Sequence, residues 1–209
     1  MVKAFVSLAL ALTLISSRAD AFGSPSSWSE EVAKGYFPYH RLIAADFPIK
    51  DSVHPENAMY TRGYVRFRYH FHWTKQNGHV IARITDWSVW SGFDRNKSSR
   101  KSWFKKVEEA LPHEQGHLGI SELHSKRFAE TPIDKLPVGE GSSGKDAATD
   151  LQRKMNALTE RISAEAQAEH ERYDAGTSHG RDAAKQRQWS ADIQSRLRRA
   201  GLELRRQTI

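Results

Sequence analysis

Two histidines four residues apart, with a glutamate beside the first, constrain this chain more than any other stretch: His113-Glu114-Gln115-Gly116-His117. On a helix these two imidazoles lie about 40° apart and one turn up, close enough to grip a single ion. In this H-E-x-x-H spacing the Glu114 carboxylate reaches a water held at the metal and takes its proton. Zinc lowers the pKa of such a water to about 7, so a carboxylate base suffices near neutral pH. Two donors do not make a catalytic centre, which takes three protein ligands and one open position. The fold must therefore carry a third donor to this helix from elsewhere in the chain.

Composition narrows the donor types. The 209 residues include no cysteine, which excludes thiolate ligands and cysteine nucleophiles and leaves His, Asp and Glu. The N-terminus reads as an address. Lys3, an apolar run from Ala4 to Ile15 and an Ala19-Asp20-Ala21 cleavage site predict a signal peptide over 1–21, with the mature chain starting at Phe22. The run falls short of the roughly 20 residues of a membrane span, so no transmembrane segment is expected after cleavage. The expected location is periplasmic or extracellular, and a domain of this length needs no disulfides there. The formal charge of +7 favours anionic partners such as acidic envelope polymers, without implying specific nucleic-acid binding.

Residues 22–35 read as a flexible leader and 36–209 as a single metallohydrolase-like domain. A short strand is expected over 36–43 and loop over 47–57, which carries Pro48 and Pro55. Val65, Phe67, Tyr69, Phe71 and Trp73 alternate with Arg66, Arg68, His70 and His72, predicting a strand with an aromatic core face and a basic outer face. Asn77-Gly78 turns it into a returning strand over 80–85. The aromatics from Trp87 to Phe104 read as core or groove wall. Pro112 is expected to open the metal-binding helix, which runs to Phe128. Thr131 to Lys145 reads as a surface connection. A long amphipathic helix follows over 147–173, with Leu151, Met155, Leu158 and Ile162 as its apolar stripe. Gly176 is expected to end it as a left-handed cap. A final helix spans 182–200, with Trp189, Ile193 and Leu197 on one face.

His124 shares a helical face with His117 but lies about 10 Å further along the axis, too far to bind the same ion. Glu122 faces away from the ligand side and reads as support for the ligands or a surface ion pair. The remaining candidates fall in Tyr173-Asp174-Ala175-Gly176-Thr177-Ser178-His179-Gly180. A histidine in a turn flanked by glycines can approach another element closely, so His179 is the expected third ligand, with Asp174 as the second choice.

The His-Glu-Gln-Gly-His and downstream Tyr-Asp-x-x-Thr-x-His-Gly motifs, behind a signal peptide, resemble those of a family of predicted secreted bacterial zinc-dependent proteases. The resemblance extends to Asp46-Phe47 and the Thr61 region, and more loosely to Gln186–Trp189. Two positions depart from its pattern: Gly119, where members often carry an acidic residue, and Ala45, where they often carry Trp. It implies His113, His117 and His179 as zinc ligands and Glu114 as general base. The expected fold is α+β and zincin-like, a small antiparallel sheet packed on the zinc-binding helix with two C-terminal helices. Its expected activity is peptide hydrolysis, on a protein or peptide substrate associated with the cell envelope, with Tyr173 placed to hydrogen-bond the oxyanion. Two rival readings stand beside it: a zinc amidase acting on peptidoglycan, and a non-enzymatic module binding anionic envelope polymer through Arg66, Arg68 and the basic C-terminal helix.

Overall fold

The computed structural model describes residues 28–52 and 58–202. The expected signal peptide, the leader up to residue 27 and the last seven residues lie outside that range. The described chain is α+β, an antiparallel sheet with four helices. In order these are α1 (Trp28–Ala33), β1 (Tyr36–Pro38), β2 (Met59–Tyr60), β3 (Gly63–Gln76), β4 (His79–Asp94), β5 (Ser99–Arg100), α2 (Val107–Ala129), β6 (Val138–Gly141), α3 (Gly144–Thr177) and α4 (Ala183–Arg199).

The β3–β4 hairpin dominates the sheet, turning at Asn77 (φ 48°) and Gly78 (φ 83°). Positive φ at both central residues is the twist-compatible hairpin turn that Asn-Gly favours. Val65, Phe67, Tyr69 and Phe71 pack inward as the alternation predicts. Trp73 shares their face and lies against Gly144 at the start of α3, but near the hairpin turn it stays 56% exposed; the register shift beside His70 falls on β4, where Thr85 is the extra residue. β4 extends nine residues beyond the expected 80–85, to Asp94: Val80, Ala82 and Ile84 face inward before the extra residue Thr85, and Trp87, Val89 and Phe93 after it. The centre of the sheet is β4, flanked on one side by β3 and on the other by β1 and β6. β6 corrects the reading of 131–145 as a bare connection: its pairs run from Val80–Gly141 to Arg83–Val138.

Other boundaries also move. The strand expected over 36–43 ends at Pro38. From residue 28 the expected leader forms α1, where buried Glu31 accepts a 2.5 Å ion pair from Arg66. The Arg66 guanidinium also lies 4.0 Å over the Tyr36 ring. Pro112 sits inside α2 rather than opening it, since the helix begins at Val107. α3 runs one turn past Tyr173, placing Gly176 inside the helix. The left-handed residues come later, at Ser178, His179 and Gly180 (φ 51°, 55° and 77°).

α2 is enclosed by two cores. Leu111, Leu118 and Ile120 join Tyr39, Phe47, Phe93, Tyr173, Ile193 and Leu197. Phe128 instead joins the sheet core with Ala82, Leu151 and Met155. The C-terminal half of α2 thus lies on the sheet, where Ser91 donates to Glu122 at 2.5 Å. Its N-terminal half meets the segment after β1, with Gln115 bonded to the Leu42 N–H (2.8 Å) and the His40 carbonyl (3.1 Å).

Candidate metal centre

Between α2 and α3 runs a polar seam. Along α2, His113, His117, Ser121 and His124 share a stripe about 80° wide. Along α3, Glu169, His170, Tyr173, Asp174 and Thr177 face them, all buried. His113 Nε2, His117 Nε2 and Asp174 Oδ1 converge at the upper end. The two nitrogens are 3.2 Å apart, and the oxygen lies 3.1 and 3.0 Å from them.

The chemistry of this donor set suits a metal ion. Four ligands at 2.0–2.1 Å around a tetrahedral zinc stand about 3.3 Å from one another, close to the three separations here. Asp174 Oδ1 is within contact of both imidazoles yet out of hydrogen-bond alignment with either, and it is buried without another partner. Buried oxygens rarely stay unpaired, and such an atom calls for an ion or a proton. The far side of His113 fixes its tautomer by hydrogen-bond logic. Gln186 gives its amide N–H to Tyr173 Oη (2.6 Å), which leaves its Oε1 to accept from His113 Nδ1–H at 3.1 Å. The His113 lone pair then points from Nε2 into the cluster. A ligating histidine held by its other nitrogen is the usual arrangement at metal sites.

The electrostatics agree. Burial works against the Asp174 carboxylate, but His113 and His117 outweigh it and hold its pKa well below the usual carboxylate range. Burial opposes the charged form of His113, while Asp174 and Glu114 raise its pKa overall. Behind His117, burial drives His170 down to about 3, so its ring is neutral. Glu114 is buried at 7% exposure, with no hydrogen bond or ion pair to its carboxylate among the described residues. It is close enough to His113 and Tyr173 to raise both their pKa values.

Two of the predicted site residues fall differently in the structure. Asp174, the second choice, joins His113 and His117, and His179 stays outside that group. Because α3 continues past Tyr173, Asp174 stands one turn after His170 on the face toward α2. His179 falls beyond the helix end, its Nδ1 3.7 Å from Asp174 Oδ1 and outside the group of three. Its Nδ1 is buried without a hydrogen-bond partner, while the side chain is 32% exposed, so it borders the cluster. The Tyr173 hydroxyl, expected at an oxyanion, is engaged elsewhere. The ring is fully buried and stacked on His113 at 4.8 Å, and its hydroxyl donates to the His113 carbonyl (3.0 Å). The phenol props the ligand helix.

Two glycines let these parts meet. A Cβ on Gly116 would lie 2.2 Å from Tyr173 Oη, and one on Gly180 would lie 2.9 Å from His113 Cγ. The turn carrying Gly180 is firmly tied: His179 N–H donates to the Asp174 carbonyl (2.8 Å) and Gly180 N–H to Thr177 Oγ1 (3.1 Å). Non-glycine residues in the left-handed region cost roughly 1–2 kcal/mol each, so Ser178 and His179 hold that conformation only because these bonds impose it.

His170 escaped the sequence reading. Its Nδ1 is 3.0 Å from His117 Nδ1, and its Nε2 is 3.3 Å from Ser121 Oγ. The available signal was its spacing, four residues before Asp174, the same helical interval as His113 and His117. Gln186, near the start of α4, was marked only within the looser Gln186–Trp189 similarity. Lower in the seam, His124 Nε2 contacts Glu169 Oε2 at 2.8 Å and Arg196 contacts Glu169 Oε1 at 2.5 Å. Burial raises the Glu169 pKa, but the bonds from His124 and Arg196 prevail and hold it at about 2. His124 is thus in a separate ion-pair group, as its distance along the helix required.

A model of one family, described as "Bacterial protein of unknown function (DUF922)", matches residues 50–180. That span holds all three donors, Glu114, His170 and His179, and stops before Gln186 and α4. No curated protein and no solved structure matches the chain.

Proposed function

For a chain that belongs to the DUF922 family, we propose a zinc-dependent peptidase, exported to the periplasm or beyond, with a zincin-like site. The observation that carries this reading is the convergence of His113, His117 and Asp174 beside the unpaired Glu114. His113 and His117 offer Nε2 and Asp174 offers Oδ1. One zinc ion held there supplies Lewis acidity, polarising the scissile carbonyl and acidifying a water. Glu114 takes the proton of the attacking water and delivers it to the leaving amine. Gln186 and Tyr173 keep His113 in its ligating tautomer and its helix in place. His179, at the exposed border of the cluster, lies where a substrate would pass.

The polymer-binding reading loses support from Arg66, which is committed to Glu31 and the Tyr36 ring. Export rests on residues 1–21 alone. No described helix is long and apolar enough to cross a membrane. The test is zinc content of the purified mature protein, followed by hydrolysis of a panel of proteins and muropeptides with and without chelator. About one zinc per chain and chelator-sensitive cleavage of proteins supports the peptidase. Cleavage of muropeptides alone turns the reading to an amidase. Absence of zinc after loading and dialysis ends both.

A further inference from the structure

We propose that His170, backed by Ser121, is the positioning residue for the metal-binding nitrogen of His117, and that the two imidazoles act as a tautomer relay. This rests on the metal reading above and is independent of any peptidase activity. His170 is 2% exposed and fills the seam between His117 and Ser121, one turn of α3 before Asp174.

Two neutral imidazoles that meet Nδ1 to Nδ1 at 3.0 Å share one proton between them. Two arrangements are open to the pair. In the first, His170 Nδ1–H donates to His117, whose own proton is on Nε2 and is accepted by the His113 Nε2 lone pair 3.2 Å away. The Ser121 hydroxyl then donates to His170 Nε2. In the second, His117 Nδ1–H donates to His170, the His117 Nε2 lone pair faces the cluster, and His170 Nε2–H donates to Ser121 Oγ, 3.3 Å away.

The second arrangement binds metal and the first is the metal-free form. Both carry one proton on each ring and one on the hydroxyl. Interconversion moves the His117 proton from Nε2 to Nδ1 and the His170 proton from Nδ1 to Nε2, by exchange with water, while the hydroxyl turns from donor to acceptor. No buried charge is created behind the ligand. A carboxylate in the place of His170 would only accept, fixing one state and adding a negative charge to the seam. An imidazole ending on a hydroxyl serves both states because each of its ends can donate or accept.

The experiment uses the mature protein with 15N-labelled histidine, metal-free and zinc-loaded at neutral pH. Long-range 15N–1H correlation reads the tautomer of each ring. Zinc affinity is measured by competition with a chromophoric chelator for wild type, His170→Leu and His170→Gln, each checked for folding by circular dichroism. The expected result places the His117 proton on Nδ1 and the His170 proton on Nε2 in the loaded protein, with both reversed in the metal-free one. His170→Leu should weaken zinc binding about 10–100-fold, the usual cost of losing a ligand's outer partner. His170→Gln should recover most of that loss, its amide oxygen accepting from His117 and its N–H donating to Ser121. Wild-type affinity in His170→Leu, or a loaded protein in which His170 keeps its Nδ1 proton, overturns the relay and leaves the metal reading intact. A wild type that takes up no zinc removes the metal reading itself, and the relay with it.

Discussion

Gly116→Ala tests how tightly the centre is built. A mid-helix glycine ordinarily costs about 1 kcal/mol relative to alanine, so an unconstrained site would gain that much from the change. Here the new methyl would stand 2.2 Å from Tyr173 Oη, 2.4 Å from Cζ and 2.9 Å from Cε1. Comfortable separations are about 3.5–4.0 Å, so ring or helix must move by more than about 1 Å. The ring has no room, being fully buried, stacked on His113 and edge-on to Trp189 at 5.6 Å. Overpacking of this kind costs about 1–3 kcal/mol. Breaking the two hydroxyl bonds, to the His113 carbonyl and Gln186, adds about 1 kcal/mol each. Set against the helix gain, the net loss is about 2–4 kcal/mol, or a Tm lower by roughly 4–16 °C in a domain of this size. Urea unfolding and a thermal scan measure it directly. Gly119→Ala is the comparison: its methyl would meet the branched Cγ2 of buried Ile193 at 2.8 Å and Leu197 Cδ1 at 3.4 Å, with no hydrogen bond at stake. Overpacking of about 1–3 kcal/mol less the helix gain leaves a loss of about 0–2 kcal/mol, smaller than that of Gly116→Ala. Adding Tyr173→Phe to Gly116→Ala removes the closest contact but leaves Cζ, so recovery should be partial. A Gly116→Ala protein as stable as wild type would refute the reasoning.

Three further outcomes are expected. Asp174→Ala should lose zinc by more than the roughly 10–100-fold of an outer partner, while His179→Ala keeps it; metal analysis of the two side by side decides between them. Glu114→Gln should retain zinc and lower the peptide hydrolysis rate by about 10²–10⁴-fold, read from initial rates on any substrate the panel identifies. Glu169 has its folded pKa depressed from 4.5 to about 2, so its contribution is complete above about pH 4.5 and is lost as the pH falls toward 2. Wild-type stability should drop over that window, and Glu169→Gln should flatten the drop in urea titrations taken from pH 6 to pH 2.

The metal-binding helix and the hairpin were legible because each has a strong local period. His113, Glu114 and His117 need only helical spacing, and Val65 to Phe71 need only alternation. What escaped depends on distant partners. Trp73 keeps the alternation, but its cover comes from Gly144 at the start of α3 and leaves it 56% exposed. β6 is four residues with two glycines, and becomes a strand only because β4 offers it an edge. Residues 87–94 looked like an aromatic cluster because Ser and Gly between them blur the alternation. The choice between Asp174 and His179 turned on where one helix ends. Gly176 suggested an early cap, whereas Trp189 packs against it: a Cβ there would lie 2.6 Å from the indole nitrogen. Tyr173 entered the expected chemistry through its nearness in sequence to His179, but α3 continues past it and its side chain goes into the core.

The distance along the chain between the donors has a consequence for biogenesis. His113 and His117 come from α2, but Asp174 and His170 emerge only near the end of α3, after the hairpin and β6 have been made. Until then a nascent chain holds two histidines and no cage, and binds metal no better than a loose pair of imidazoles. Gln186, which orients His113, comes later still. On the proposed metal reading, loading and the docking of α3 and α4 onto α2 would be a single late event in folding, since the unfolded chain has no preformed site. For a chain that crosses a membrane unfolded, that event falls on the far side, and the metal supply that matters is the one available there.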